Sequence, residues 1–286
     1  MLLPRTVLRW LVWACIDGSI VLLMVSAWPA RSDAKAGNQG IPLHAPDEKT
    51  IPDGPVGEAI RYGKKVLTET RRYAQAYVGN GLNCSSCHLD AGRKALASPW
   101  VGIWGVFPEY RSRSGKINAL QDRINDRFER SMNGRALPYD GDEMRGILAY
   151  MWWLSKDVPT GAAVRGRCFA RVQSSRPPDP KRGEAVYAAK CAVGHGIDGE
   201  GKEGRNGAYL FPAFWGPRSF NIGAGMARLG NAAGFVKSNM PLGQGNTLSS
   251  ADAVDVAAYF TRKPRPDFAA KSRDWPKGDK PGDVPY

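Results

Sequence analysis

The sequence predicts an all-α fold made of two tandem copies of one small helical module. Segments with helical apolar spacing occur in both halves, and no segment shows a strong strand alternation. The halves also repeat their features at similar spacing: Cys84 precedes Tyr150 by 66 residues, and Cys191 precedes Tyr259 by 68. In both halves the tyrosine lies in the last predicted helix. An internal duplication of this kind predicts the architecture better than any single motif.

Five helices are predicted from residues that place apolar side chains on one face. They cover residues 58–77, 120–132 and 142–155 in the first half, and 183–190 and 250–261 in the second. Ser249 can cap the last helix, because a serine hydroxyl accepts a hydrogen bond from a free amide of the first turn. The segment 161–180 is rich in proline, which predicts a linker between the halves.

The N-terminal segment predicts an export signal. Arg5 and Arg9 precede an apolar stretch that ends at small residues suited to cleavage. An uncleaved membrane anchor is the alternative, and Asp17 disfavours it because a charge in the middle of a bilayer is costly. We therefore expect a signal peptide over residues 1–34, periplasmic localisation, and no stable membrane insertion after cleavage.

Composition excludes some classes of function and leaves others open. A chain of 286 residues with 43% hydrophobic residues can bury two modest cores, so wholesale disorder is excluded. An excess of 40 basic over 27 acidic side chains gives a net charge of +13, which favours anionic partners. The net charge is the only feature that would favour binding to nucleic acid, because the sequence contains no groove-reading motif and no aromatic platform on a sheet. We do not expect it.

Residues 84–88 (CSSCH) form a C-x-x-C-H sequence, the attachment site of c-type haem. Cysteines three residues apart on a helical turn reach the two vinyl groups of haem, and the adjacent histidine ligates the iron. The alternative is a surface disulfide, but this spacing more often belongs to binding or reactive cysteines. We expect Cys84 and Cys87 to attach haem c covalently, with His88 as a ligand of the iron.

The second half carries an incomplete copy of this motif, residues 191–196 (CAVGHG), in which Gly194 replaces the second cysteine. Cys191 still offers one thioether bond, and His195 offers an iron ligand. Met240 suits the distal face of the same haem, where Met/His ligation raises the potential. The alternative interpretation of Met240 is a methionine that packs in the hydrophobic core. We expect two haems in the protein, the second held by a single thioether or partly occupied.

The haem motifs make the predicted fold class more specific: all-α, with two tandem cytochrome c-like domains. The chain then divides into a signal peptide (1–34), a flexible leader (35–56), cytochrome c domain 1 (57–160), a linker (161–180) and cytochrome c domain 2 (181–286). Cys168 falls in the linker, away from both motifs, and we interpret it as an incidental free thiol.

Several longer phrases resemble the dihaem thiosulfate dehydrogenases, the tetrathionate-forming cytochromes. In the first half they are 111–115 (RSRSG), 120–125 (LQDRIN) and 129–134 (ERSMNG). In the second half they are 214–217 (FWGP), 219–226 (SFNIGAGM) and 274–278 (DWPKG). The resemblance covers roughly residues 57–286. It implies oxidation of two thiosulfates to tetrathionate, with electrons passing from the first haem to the second and then to an external acceptor such as a partner cytochrome.

The resemblance also implies which residues bind the small anionic sulfur substrate. Arg113 and Arg123 match the positions of the family's substrate-clamping arginines, and Ser131 matches a hydroxyl that lines the same pocket. Arginine suits this task because its planar fork forms bidentate hydrogen bonds with the oxygens of a sulfo group. A solvated surface arginine is the alternative for each of the two.

One further residue departs from the family's pattern. The family has a cysteine four residues after Arg123 that ligates the first haem and takes part in the sulfur chemistry, whereas this chain has Arg127. A guanidinium has no lone pair to offer iron. The first haem is then expected to be five-coordinate, water-bound, or capped by Met132 or Met144.

Two functions from different classes follow. The first is a haem-dependent oxidoreductase that oxidises thiosulfate to tetrathionate, with activity impaired by Arg127 and Gly194. The second is a non-catalytic dihaem cytochrome that carries electrons between redox partners through a basic face. The retained Arg113 and Arg123 favour the first, and the missing cysteine ligand favours the second.

Overall fold

The computed structural model describes residues 40–204 and 207–286, so the predicted signal peptide lies outside the described residues. Within them the chain forms α1 (Gly54–Thr68), α2 (Thr70–Tyr73), α3 (Leu89–Gly92), β1 (Glu109–Arg111), β2 (Lys116–Asn118), α4 (Leu120–Arg130), α5 (Asp142–Leu154), α6 (Pro180–Lys190), α7 (Ala192–His195), β3 (Lys202–Glu203), β4 (Tyr209–Phe211), α8 (Leu229–Asn239) and α9 (Ser250–Thr261). None of the helices in this part of the chain is long and apolar enough to cross a membrane.

The all-α prediction is confirmed, and four predicted helices appear as α4, α5, α6 and α9. The cap of α9 is also confirmed, since the backbone N–H of Asp252 donates to the hydroxyl of Ser249 at 3.0 Å. Two antiparallel hairpins, β1–β2 and β3–β4, were not predicted. Strands of two or three residues are too short to show an alternation of apolar and polar side chains.

The predicted helix over 58–77 is wrong as a single helix, because it breaks at Glu69. There φ is −128° and ψ is 48°, outside the helical region. The next residue, Thr70, is fully buried and uses its hydroxyl twice: it donates to the carbonyl of Leu67 at 3.3 Å and accepts from the N–H of Cys84 at 3.0 Å. The break therefore directs the chain towards the haem motif and fixes the start of that motif.

Each domain is built on a crossing of its first and last long helices, α1 with α5 and α6 with α9. A glycine allows the close approach in both. A Cβ on Gly63 would lie 1.8 Å from the carbonyl oxygen of Gly146, and a Cβ on Gly183 would lie 2.0 Å from that of Asp255. Since the same device occurs at the equivalent crossing, the structure agrees with the duplication predicted from the spacing of the motifs.

The two domains share a buried polar boundary. Arg130 of α4 forms two 2.8 Å hydrogen bonds with the carboxylate of Asp274, near the C-terminus. Nearby, the side-chain amide of Asn221 donates to the carbonyl of Glu129 at 2.9 Å. These bonds join α4 to the segment 219–226 and to the C-terminal residues. The segment 219–226, called the glycine segment below, therefore lies against the arginine-rich helix of the first domain.

The leader and linker predicted from composition also make contacts. The N–H of Ile41 donates to the carbonyl of Ala163 at 2.9 Å, and the ring of Phe169 packs edge-on against Phe235 at 6.0 Å. Glu48 forms ion pairs with two basic side chains of the first domain. Residues 41–48 of the leader are therefore packed on the protein. The domain boundaries themselves stay a prediction.

We expect Gly63→Ala to destabilise the first domain, because the added methyl group collides with a backbone carbonyl that cannot rotate away. Overpacking of this kind costs about 3 kcal/mol of unfolding free energy at its upper end. Chemical unfolding followed by circular dichroism measures the change. Gly282→Ala is the matched control, since a Cβ there meets nothing within 4 Å. Equal stability of the two variants would contradict the close crossing.

Candidate haem sites and the adjoining arginine cluster

The first haem motif is a 3-10 turn, Cys84–Ser86, followed by Cys87 and His88. The ring of His88 is held by a hydrogen bond from Nδ1 to the carbonyl oxygen of Ser98 at 2.6 Å. A carbonyl can only accept, so the proton is on Nδ1 and the lone pair is on Nε2. Burial lowers the pKa of His88 to about 4, which keeps the imidazole neutral. A neutral imidazole with a fixed tautomer is the form that ligates iron.

Both cysteines of this motif line the same cavity as His88. They are free thiols in the described structure, so the disulfide alternative is not realised. Burial raises the pKa of Cys84 and of Cys87 to about 11, which keeps the sulfur atoms protonated. The structure thus brings together two thiols and one imidazole nitrogen, the set of groups that attaches and ligates a c-type haem.

The second site repeats this arrangement with one thiol fewer. The Nδ1–H of His195 donates to the carbonyl oxygen of Pro212 at 2.8 Å, and the ring of Phe214 stacks on the imidazole with centroids 4.0 Å apart. Burial lowers the pKa of His195 as well. Cys191, His195 and Met240 all line one cavity of about 580 Å³. Cofactor pockets enclose several hundred Å³, so the second cavity has a suitable size.

Gly194 lies where the second thiol of a complete motif would stand, and the structure leaves room for one. A Cβ on this glycine would lie 3.4 Å from the ring of Phe211, an ordinary van der Waals distance. Gly194 also lines the second cavity. Its replacement of cysteine therefore changes the number of available thiols without changing the shape of the backbone.

The two cavities are adjacent, and the first is smaller. Leu82, Asn83, Cys87 and Met226 line both of them. The first has about 80 Å³, less than cofactor pockets usually enclose, and the long side chain of Arg127 is among those that line it. The two cavities are therefore separated only by side chains.

Three residues of the first domain lie on one face of α4 and its C-terminal end. Arg123, Arg127 and Ser131 are four residues apart, so successive turns stack them above one another. Arg127 and Ser131 line the first cavity together with His88. Burial, opposed by Asp126, lowers the pKa of Arg127 to about 10, and the group remains cationic at neutral pH.

Arg123, on this face, and Arg113, beside it, do not line the cavity itself. Burial, and next the positive Arg127, lower the pKa of Arg123. Arg113 donates to the carbonyl of Gly223 at 2.9 Å and lies over the ring of Trp275 at 4.6 Å. Arg113 thus reaches across the domain boundary, and its guanidinium adds positive charge beside Arg123.

Some predicted residues occupy other places, and others were missed. Met144 is fully buried in the core and is not among the residues that line the first cavity, so its assignment as a candidate ligand is wrong. Met132 does line that cavity, as do Met151 and Met226, which sequence reasoning missed. The signal for Met226 was present, because it ends one of the phrases that carried the resemblance. Nothing in the local sequence pointed to Met151.

Two helical domains, each presenting thiol and imidazole groups to a cavity, define a c-type cytochrome. Two family models match: the SoxA/TsdA cytochrome c domain over residues 70–160, and the cytochrome c oxidase cbb3-type subunit III over residues 178–260. Both are cytochrome c domains, and the chain binds haem c.

Relatives that match most of the chain show to which family of c-type cytochromes it belongs. The chain is 46% identical to the thiosulfate dehydrogenase of Psychrobacter arcticus, over 91% of this chain and 79% of that one. It is also 46% identical to the thiosulfate dehydrogenase of Allochromatium vinosum, over 82% and 88%. The thiosulfate dehydrogenase TsdBA of Marichromatium purpuratum superposes with a TM-score of 0.74 at 37% identity, over 83% of this chain and 51% of that one. This chain belongs to the thiosulfate dehydrogenase family.

We expect Gly194→Cys to increase the fraction of chains that carry two covalently bound haems, because it restores the second thiol in a position with room for it. Intact mass under denaturing conditions measures the number of bound haems. Gly194→Ser is the matched control, with a side chain of similar size that forms no thioether. Identical haem loading of the two variants would show that the missing thiol does not limit attachment.

Proposed function

We propose that this protein is a haem-dependent oxidoreductase of the periplasm that oxidises thiosulfate to tetrathionate. The observation that carries the proposal is the cluster of guanidinium groups beside the first haem cavity. Arg127 and Ser131 line that cavity, and Arg123 and Arg113 lie next to them. Such a cluster attracts small dianions to the place where an electron acceptor would be bound.

The charge of the substrate explains why guanidinium groups are needed. Joining two thiosulfates brings two dianions together, and their repulsion in a site of low dielectric constant costs several kcal/mol. Fixed positive charges offset that repulsion without having to reorganise during the reaction. The two terminal sulfur atoms form the new S–S bond, and two electrons leave. Haem iron, when bound, supplies the one-electron acceptors.

We assign roles to the residues predicted from the sequence accordingly. Arg123 and Arg113 would bind the sulfo groups and hold the terminal sulfur towards the first cavity, and Ser131 would add one hydroxyl donor. The position of Ser131 on the cavity wall supports its role directly. Because Arg113 also bridges to Gly223, its contribution would be partly to hold the domains together.

Two haems would carry the electrons onward. Cys84, Cys87 and His88 would hold the first, and Cys191, His195 and Met240 would hold the second, through a single thioether. The four residues that line both cavities support direct passage from the first haem to the second. From there the electrons would pass to an external acceptor, such as a partner cytochrome. Exposed Val193 and Leu242 at the second cavity offer an apolar rim for such a contact.

The second candidate function is electron transfer without catalysis. It is favoured by Arg127, which stands where the family places a sulfur ligand of the first haem. The protein would then exchange electrons rapidly with a partner cytochrome, in a way that depends on salt, and would not respond to thiosulfate.

We expect thiosulfate to reduce the haem of the oxidised protein, and Arg123→Gln to slow this reduction by about tenfold or more, because one charge-assisted contact is lost. Stopped-flow absorption of the haem bands measures the rate. Arg145→Gln, an exposed arginine on α5, is the matched control and should leave the rate unchanged. A protein that stays oxidised for hours, under conditions in which a relative with the cysteine ligand turns over, would leave only the carrier function.

We expect Arg127→Cys to raise the rate of reduction by thiosulfate, because it restores the sulfur ligand that the family places at this position. The same stopped-flow assay measures the rate, and a new charge-transfer spectrum would report the sulfur–iron bond. Arg127→Ser is the control, since it removes the guanidinium without providing the thiol. Equal rates for the two variants would show that the missing ligand is not what limits the protein.

A further inference from the structure

The guanidinium of Arg127 stands out because it lacks a counter-ion. It forms no hydrogen bond or ion pair with any residue in the described ranges. The carboxylate that acts on it most strongly is Asp126. That carboxylate lies 3.9 Å from Arg123 and 3.5 Å from Arg130 instead. A half-buried cation without an anionic partner is costly, so the missing partner calls for an explanation.

The charges around Arg127 do not balance. Four guanidinium groups, those of Arg113, Arg123, Arg127 and Arg130, lie on or beside this face of α4. The carboxylates paired with them in the described structure are Asp126 and Asp274, and each of the two is shared. Two positive charges therefore remain without a partner. A dianion would compensate both charges, and so would the two propionates of a bound haem if they lay here; binding of an anion to the haem-loaded protein separates these two cases.

The second domain faces the guanidinium of Arg127 with a small, uncharged residue. Gly225, in the glycine segment, also lines the first cavity, and a Cβ there would lie only 3.2 Å from Nη1 of Arg127. A side chain at that position would press on the guanidinium. Asn231 holds Gly225 by a 2.9 Å hydrogen bond to its carbonyl oxygen and lines the same cavity. The wall opposite the arginines is therefore neutral and small.

We infer that Arg127 is an anion-binding residue of this cavity and that, with Arg123 and Ser131 on the same face of α4, it selects sulfur dianions over monoanions. The inference rests on the proposed function, because it names a further binding residue for the same class of ligand. The backbone of α4 keeps the three residues one turn apart, so a change of rotamer at Arg127 leaves its charge in the same cluster.

The test is a calorimetric titration of the oxidised holoprotein with tetrathionate, the proposed product, which cannot reduce the haem. Arg127→Gln should weaken binding by about tenfold to a hundredfold, the effect of losing one charge-assisted contact. Arg127→Lys keeps the charge and loses the planar fork, and should weaken it by a smaller factor of about three to ten. Arg145→Gln should leave the dissociation constant unchanged. Methanesulfonate, with the same sulfo group and one charge, should bind at least tenfold more weakly than tetrathionate.

Three results would overturn the inference: no binding of tetrathionate to the unaltered protein, an unchanged dissociation constant in Arg127→Gln, or equal affinity for methanesulfonate and tetrathionate. Haem content and the thermal unfolding midpoint show whether each variant is folded. If Arg127→Gln fails to load haem, an unchanged affinity in Arg127→Lys overturns the inference instead. Binding of tetrathionate that depends on Arg127 in a protein that thiosulfate never reduces would contradict the proposed oxidation while leaving this residue's role intact.

Discussion

One hydrogen bond on each of two histidines fixes which ring nitrogen is free to bind a metal. In both domains the Nδ1–H donates to a backbone carbonyl oxygen, from His88 to Ser98 and from His195 to Pro212. This bond leaves the Nε2 lone pair as the free donor atom, and burial keeps each ring neutral. The cysteines, the paired cavities and the methionine next to α8 have a redox function only if these two nitrogens face a metal. The close helix crossings at Gly63 and Gly183, together with the break after Thr68, hold the two haem motifs in position.

Charge at the domain boundary is the second constraint. The first domain contributes an arginine-rich helix, and the second contributes the glycine segment and the side-chain carboxylate of Asp274, which pairs with Arg113 and Arg130. Buried guanidinium groups that exceed their carboxylates destabilise the folded state unless an anion accompanies them. Sites that bind anions tolerate such a cost, because binding of the anion relieves the repulsion and so strengthens the affinity for it. If Arg127 binds the anion as we infer, its replacement of the family's cysteine would raise that affinity and would remove a ligand of the iron, and the two effects on catalysis would oppose each other.

The sequence predicted four of the long helices, the duplication and both haem motifs, because these depend on local spacing, but it did not predict α8. Through the resemblance to a family it also predicted that Ser131 lines a pocket with Arg113 and Arg123, whereas the cavity that Ser131 shares with His88 was seen only in the structure. It did not predict the break at Glu69, which depends on a hydrogen bond between Thr70 and Cys84, nor the burial of Met144, which depends on how α5 packs. The pairing of Arg130 with Asp274 joins residues 144 positions apart, and no local pattern reports such a distance. The unbalanced charge on α4 became visible only once its shared carboxylates were located.

Covalent haem is the claim on which everything else rests. The most direct measurement is the intact mass of the exported protein together with its absorption spectrum, after production in a host that matures c-type cytochromes. We predict a Soret band and a mass that exceeds that of the polypeptide by at least one haem. After proteolysis, the haem should remain covalently attached to the peptide that contains residues 84–88. A colourless protein whose mass equals that of the bare polypeptide would contradict it.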